Sequence, residues 1–121
     1  MDKVITVQPQ EMAWQSHKPA HNPDEVAYPG GKVPQWDGPV KVRYKELMRS
    51  DTARVVVAEW DPSHHEPTHC HPRDEYMFIF DGSATLNGKK LEAGGFFFIA
   101  KDTFYNLVAG PNGLKFFRVT V

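Results

Sequence analysis

A single cysteine, Cys70, stands among 121 residues, so no internal disulfide can form and no oxidising compartment is implied. No apolar run approaches the ~20 residues a membrane-spanning helix needs. The N-terminus lacks a charged region followed by an apolar one, so a cytoplasmic location is the default expectation. An excess of charge of either sign is missing too. With 14 basic and 15 acidic side chains the net charge is −1, which leaves no electrostatic footprint for nucleic acid or an anionic membrane, and neither is expected as a partner. No credible helical period survives anywhere in the chain. Histidine does not occur after His71. The length suffices for one domain with its own core and is too short for two ordinary ones.

What is present centres on Thr68-His69-Cys70-His71-Pro72-Arg73-Asp74-Glu75, followed by the apolar run Tyr76 to Phe80 and Asp81-Gly82. In an extended strand, alternate side chains share a face, so His69 and His71 aim both imidazoles at one point while Cys70 turns away. That orientation reads Cys70 as an inert buried thiol. Pro72 and Asp74 favour a tight turn, and Glu75 opens the next run. If that run folds back beside the first strand, Glu75 returns a carboxylate to the imidazoles. Two neutral imidazoles and one carboxylate, His69, His71 and Glu75, suit a divalent metal and leave coordination positions open. Such a set is the non-haem Fe(II) arrangement, although Zn, Mn, Ni and Co accept similar ligands. The plainer alternative is a pair of surface histidines in a polar loop.

Around this motif the chain divides at residue 39. Lys3 to Val7 is rich in branched side chains and reads as a short strand. From Gln8 to Pro39, prolines and glycines erase any period, with one helical turn at most over Glu11 to Trp14. Trp14, Tyr28, Val33 and Trp36 give this stretch apolar anchors, which mark residues 1–39 as an irregular arm lying over the barrel or a partner subunit. His17 and His21 have helical spacing, but Pro19 between them argues against a helix, so they read as surface histidines. The minority reading has one of them cap the pocket and supply a ligand.

Residues 40–121 are a succession of strands. Val40 to Arg49 alternates, and Ala53 to Trp60 carries Val55-Val56-Val57, suited to a strand covered on both faces. His64 and His65 precede the motif and read as solvated loop histidines. With Glu75 inward, Met77 and Ile79 line the interior, while Tyr76, Phe78 and Phe80 face the opposite side. Covering those rings calls for a second sheet or subunit, and a homodimer is the economical explanation. Asn87-Gly88 is a hairpin signal. Gly94-Gly95, Lys101-Asp102-Thr103 and Gly110-Pro111-Asn112-Gly113 mark further turns, with strands over Phe96 to Ala100, Phe104 to Ala109 and Leu114 to Val121. Short strands separated by turns indicate an all-β barrel or sandwich.

The run His69-x-His71-x3-Glu75-x6-Gly82 resembles the first signature of the cupin superfamily, with Ser63 where its opening glycine usually falls. Leu91 to Asn106 resembles the second, with Gly94 at the turn glycine and Asn106 at the closing asparagine. Ala93 and Ala100 replace common prolines, and Tyr105 stands where the family normally has a third histidine ligand. The resemblance covers about residues 40–121. It implies a double-stranded β-helix (jelly-roll) barrel holding one divalent metal ion, Fe(II) favoured and Zn, Mn or Ni as alternatives.

Tyr105 then has three readings. It stands beside a three-ligand metal as hydrogen-bond donor or general acid, it binds metal through its oxygen, or it marks a site that has lost metal. The implied function is a metal-dependent enzyme acting on a small oxygen-bearing molecule, first a dioxygenase. An isomerase, lyase or decarboxylase and a non-catalytic small-molecule binder are the alternatives. Met77, Ile79, Phe96 and Phe98 form the expected substrate wall, the last two on an assumed strand register. Arg43, Arg54 or Arg118 could hold a carboxylate if directed inward.

Overall fold

In the computed structural model, which describes residues 3–16, 25–34 and 41–121, the last strand organises the others. The strands are β1 (Gln15–Ser16), β2 (Val42–Arg49), β3 (Arg54–Trp60), β4 (His65–His69), β5 (Glu75–Leu86), β6 (Lys89–Glu92), β7 (Phe96–Ile99) and β8 (Tyr105–Thr120). Two short 3-10 turns, Pro9–Glu11 and Pro29–Gly31, are the only helical pieces among the described residues. The first half of β8 lies between β4 and the end of β5. Its second half lies between β3 and the beginning of β5. The result is an all-β jelly-roll barrel in which every pairing is antiparallel. No helix among the described residues is long and apolar enough to cross a membrane.

Local chemistry explains most of these boundaries. Asn87 and Gly88, both at positive φ (47° and 82°), close the β5–β6 hairpin at the expected place. The expected turn at Gly110–Gly113 is instead a bulge inside a single 16-residue β8. The β5–β8 register passes from Gly82↔Leu114 to Ala84↔Ala109, so the intervening residues leave the ladder without breaking the strand. Glycine is required where the bulge crosses β5, because a Cβ on Gly82 would lie 2.1 Å from the Gly113 carbonyl oxygen.

Residues 3–7 are not a strand. Val4 is 85 % exposed, and no neighbouring backbone pairs with this stretch among the described residues, so its branched side chains have no sheet to join. The arm is nevertheless tied to the barrel. β1 pairs with β2, and Lys45 Nζ donates to the Pro9 carbonyl at 2.7 Å while sitting 4.4 Å above the Trp14 ring. Farther on, Ala27 and Cys70 exchange two backbone hydrogen bonds of 2.9 Å each. His17, His21, Trp36 and Val40 lie outside the described residues.

Register corrects one expectation about the interior. β7 pairs with β5 as Glu75↔Ile99 and Met77↔Phe97. Residues directly opposite across an antiparallel pair share a face, so inward Glu75 and Met77 bring Ile99 and Phe97 inward with them. Phe96 and Phe98 therefore point outward, 57 % and 47 % exposed, and do not form a substrate wall. Tyr76, Phe78 and Phe80 face outward as the alternation requires.

Candidate active site

β4 and the turn after it deliver the two histidines. The Nδ1–H of His69 donates to the Pro67 carbonyl and that of His71 to the Glu25 carbonyl, each at 2.7 Å. A carbonyl oxygen only accepts, so both Nδ1 atoms carry the hydrogen and both Nε2 atoms keep a lone pair when the rings are neutral. The rings lie 4.9 Å apart between centroids, at 90°. Burial, followed by the positive charge of Arg118, pushes His71 down to about 4, although Glu75 opposes this. His71 is accordingly neutral at pH 7.

Glu75 reaches this pair by a route different from the expected one. β4 and β5 do not pair with each other; each pairs with β8. The carboxylate is 1 % exposed. Its Oε2 accepts Arg118 Nε–H at 2.9 Å, and the Tyr105 hydroxyl donates to both oxygens at 3.3 and 3.2 Å. Oε1 lies 3.7 Å from His71 Nε2. Tyr105 sits directly across the ladder from His69, with ring centroids 4.6 Å apart. Burial first, and then the Glu75 charge, raise its pKa well above 10, against the pull of Arg118. Tyr105 is therefore a firmly held O–H donor rather than a phenolate in this arrangement.

His69, His71, Tyr105 and Arg118 line a cavity of about 680 Å³ with Met77, Leu107 and Phe116 on its apolar side, while Glu75 lies behind them and does not line it. Glu25, Val26 and Tyr28 from the arm roof it. Ile79 points inward but is fully buried in the core and does not line the cavity, because Met77 stands between it and the histidine end of β5. Cys70 is buried against the arm, and burial raises its thiol pKa, so it stays an unreactive thiol.

The donor chemistry suits a divalent metal. Two neutral imidazoles have their far nitrogens anchored to backbone carbonyls, which is how metal-ligating histidines are oriented. Ligand atoms about 2.0–2.2 Å from one metal lie roughly 3–3.5 Å apart. The 3.7 Å between Glu75 Oε1 and His71 Nε2 is a little wider. Among the described residues no three His, Cys, Asp or Glu side chains form a ready-made cage, and Glu75 is shared with Arg118 and Tyr105.

Sequence reasoning did not single out Glu66. It lines the cavity and accepts a hydrogen bond from His64 Nε2 at 3.3 Å. His64 is also packed edge-on against Trp60, 5.0 Å between centroids, so it is not the solvated loop residue expected. His65 is exposed and bonded to Asn106. No alternation pattern could have found Glu66, since it lies three residues before His69 and a regular strand would face it the other way. Arg118 was legible by parity, because it shares a strand face with Phe116 and Thr120, both buried.

No family model matches the chain. A dimethylsulfoniopropionate lyase, DddW, from Ruegeria pomeroyi is 30% identical over 110 residues, covering 83% of this chain and 70% of that protein. Among solved structures, KdgF from a Halomonas species superimposes with a TM-score of 0.65 at 17% identity, over 98% of this chain and 94% of that one. An RmlC-like cupin from Shewanella frigidimarina gives a TM-score of 0.62 at 18% identity, over 90% and 93%. At these identities the two structures speak to fold alone.

Proposed function

This chain belongs to the cupin superfamily, and from that premise we propose that it is a metal-dependent lyase. It takes a small carboxylate or carbonyl compound, removes a proton from the carbon beside that group and expels a substituent from the next carbon. The observation that carries this reading is the Tyr105 hydroxyl, hydrogen-bonded to a buried carboxylate beside two orientation-fixed imidazoles. The 30% identity to a protein named a dimethylsulfoniopropionate lyase supports it. His69, His71 and Glu75 would hold the ion, with Zn, Mn or Ni serving as well as Fe(II), and when bound it supplies Lewis acidity toward a substrate oxygen.

The chain's own groups divide the remaining work. Tyr105 has one hydroxyl hydrogen, which it gives to Glu75 here; turned from Glu75 to the substrate, it donates to the oxygen on which negative charge accumulates. Arg118 fixes Glu75 and adds positive charge beside the cavity, which favours an anionic substrate. Met77, Leu107 and Phe116, with Val26 and Tyr28 in the roof, give the cavity an apolar wall beside the reacting centre. The lone thiol of Cys70 fits a reducing, cytoplasmic setting. The outer rings of Tyr76, Phe78, Phe80, Phe96 and Phe98 form a continuous row across β5 and β7, supporting a homodimer through that face.

Dioxygenase chemistry with Fe(II) would draw on the same three ligands, but the firmly protonated donor serves an elimination directly and the lyase reading needs no oxygen. One feature favours a metal-free binder: Arg118 already occupies Glu75. The test is elemental analysis of protein purified without added metal, then incubation with dimethylsulfoniopropionate and other β-substituted propionates, with alkene formation followed by NMR and oxygen by electrode. Alkene formation without oxygen uptake, lost on chelation and in His69→Ala, is the expected result. Oxygen consumed in step with product would establish the dioxygenase. Metal-free protein that binds but does not turn over these compounds would establish the binder.

A further inference from the structure

Two carboxylates belong to this interior, and they are in different states. Glu75 has both oxygens engaged by Arg118 and Tyr105. Glu66 has Oε1 engaged by His64, while among the described residues Oε2 has no hydrogen-bond donor. Yet the Glu66 side chain is only 12% exposed, lines the cavity, and is close enough for its charge to help hold the protons of Tyr105 and Arg118. A largely buried carboxylate that lines the cavity with one oxygen lacking a donor among the described residues can accept a proton from a molecule bound there.

The backbone is bent to put it there. On a regular strand Glu66 and His69 would face opposite ways. The β4–β8 register slips between them, from Glu66↔Leu107 to His69↔Tyr105, and both side chains end up buried. Irregularities of this kind re-aim side chains beside functional sites. His64 completes the arrangement. Its ring is pinned edge-on by Trp60, and its Nε2 fixes the Glu66 carboxylate from the side away from the free oxygen.

We propose that Glu66 is the general base of the elimination and that His64 is its positioning residue. Glu66 Oε2 takes the proton from the carbon beside the substrate's carboxylate or carbonyl. The C–H electron pair becomes the new carbon–carbon double bond, and the substituent on the next carbon leaves with its own bonding pair. The protonated Glu66 then releases its proton to water. No oxidant or reductant is consumed. This assignment rests on the lyase reading and gives the reaction a base distinct from the groups that would hold metal.

The test uses the full-length, metal-loaded protein and the β-substituted propionate turned over fastest by the parent, dimethylsulfoniopropionate being the first probe. A positioned base contributes about 10²–10⁴-fold. Glu66→Gln is expected to lower kcat about 10³-fold with KM within about threefold, and to leave cobalt(II) content and its absorption spectrum unchanged. Glu66→Asp should restore part of kcat. His64→Phe should lower kcat about tenfold, again at constant metal content, whereas His64→Asn, which keeps a donor, should lose less. Glu66→Gln within fivefold of the parent kcat would overturn the assignment while leaving the lyase reading standing. Loss of cobalt in Glu66→Gln would overturn it by making Glu66 a ligand. A parent that forms alkene from none of these propionates overturns the lyase reading and the base with it.

Discussion

Replacing Arg118 with methionine, measured in the presence of a chelator, isolates the contact that holds the interior carboxylate. The structure fixes the terms. Glu75 is 1 % exposed and receives Arg118 Nε at 2.9 Å; the remaining donor to its oxygens is the Tyr105 hydroxyl. Two unit charges about 4 Å apart attract by about 4 kcal/mol at an effective dielectric near 20. Removing one partner of a buried pair costs about 3–5 kcal/mol. The loss has a ceiling, because a stranded carboxylate can instead take up a proton. From a glutamate's ordinary value near ~4.3, that escape costs about 1.4 kcal/mol per pH unit, or ~3.7 kcal/mol at pH 7 and ~1 kcal/mol at pH 5. Arg118→Met should therefore lose about 3–4 kcal/mol at pH 7 and no more than about 1–2 kcal/mol at pH 5. Such a loss is a large part of the 5–15 kcal/mol typical of a domain. Urea unfolding followed by tryptophan fluorescence reads it as a midpoint shift at constant slope. Glu75→Gln combined with Arg118→Met should recover most of the loss, since no charge is left stranded. A loss under 1 kcal/mol at pH 7, or one equal at pH 5 and pH 7, would refute this account of the site.

Three more outcomes follow from the same geometry. His71 is held neutral down to about 4, whereas an unfolded histidine takes a proton near 6.5, so the unfolded chain binds more protons between these values. Stability from this group is full above pH 6.5 and falls by about 1.4 kcal/mol per unit as pH drops, about 3 kcal/mol in all by pH 4. Urea midpoints across that window should show the slope, and His71→Asn should flatten it; an unchanged slope in the variant would remove the cause. Tyr105→Phe deletes one donor to Glu75 and should cost about 1–2 kcal/mol of stability and at least about 10²-fold in turnover, with cobalt affinity within a few-fold. A tenfold or greater fall in affinity would make Tyr105 a metal ligand. Finally, Phe96→Lys with Phe98→Lys, both on the outer aromatic row, should convert a dimer to a monomer by light scattering without altering the unfolding midpoint of the monomer; a parent already monomeric at 100 μM, roughly the concentration where a weak dimer would persist, would dismiss that face as an interface.

The sequence by itself determined most of the strands after residue 41, though neither a strand at residues 3–7 nor a break at Gly110–Gly113, together with the hairpin at Asn87-Gly88 and the inward run Glu75, Met77 and Ile79, and it offered two histidines and one glutamate as candidate ligands. Each of these rests on short-range rules: alternation of period two, turn residues that accept positive φ, and ligand spacing within a few positions. Tertiary structure decided the rest. Whether Phe96 or Phe97 turned inward depended on which β5 residue lay opposite, and a register slip of one reverses every side chain on a strand. The slip in β4 that turns Glu66 inward is likewise a property of its pairing with β8. Arg118 and Glu75 are 43 positions apart, and the roof over the cavity comes from residues 25–28, so only closure of the barrel brings them together. Local chemistry could put two imidazoles and a carboxylate within reach of one another. Which charge that carboxylate would meet was set by long-range pairing, because ion pairs form between neighbours in space whatever their separation along the chain.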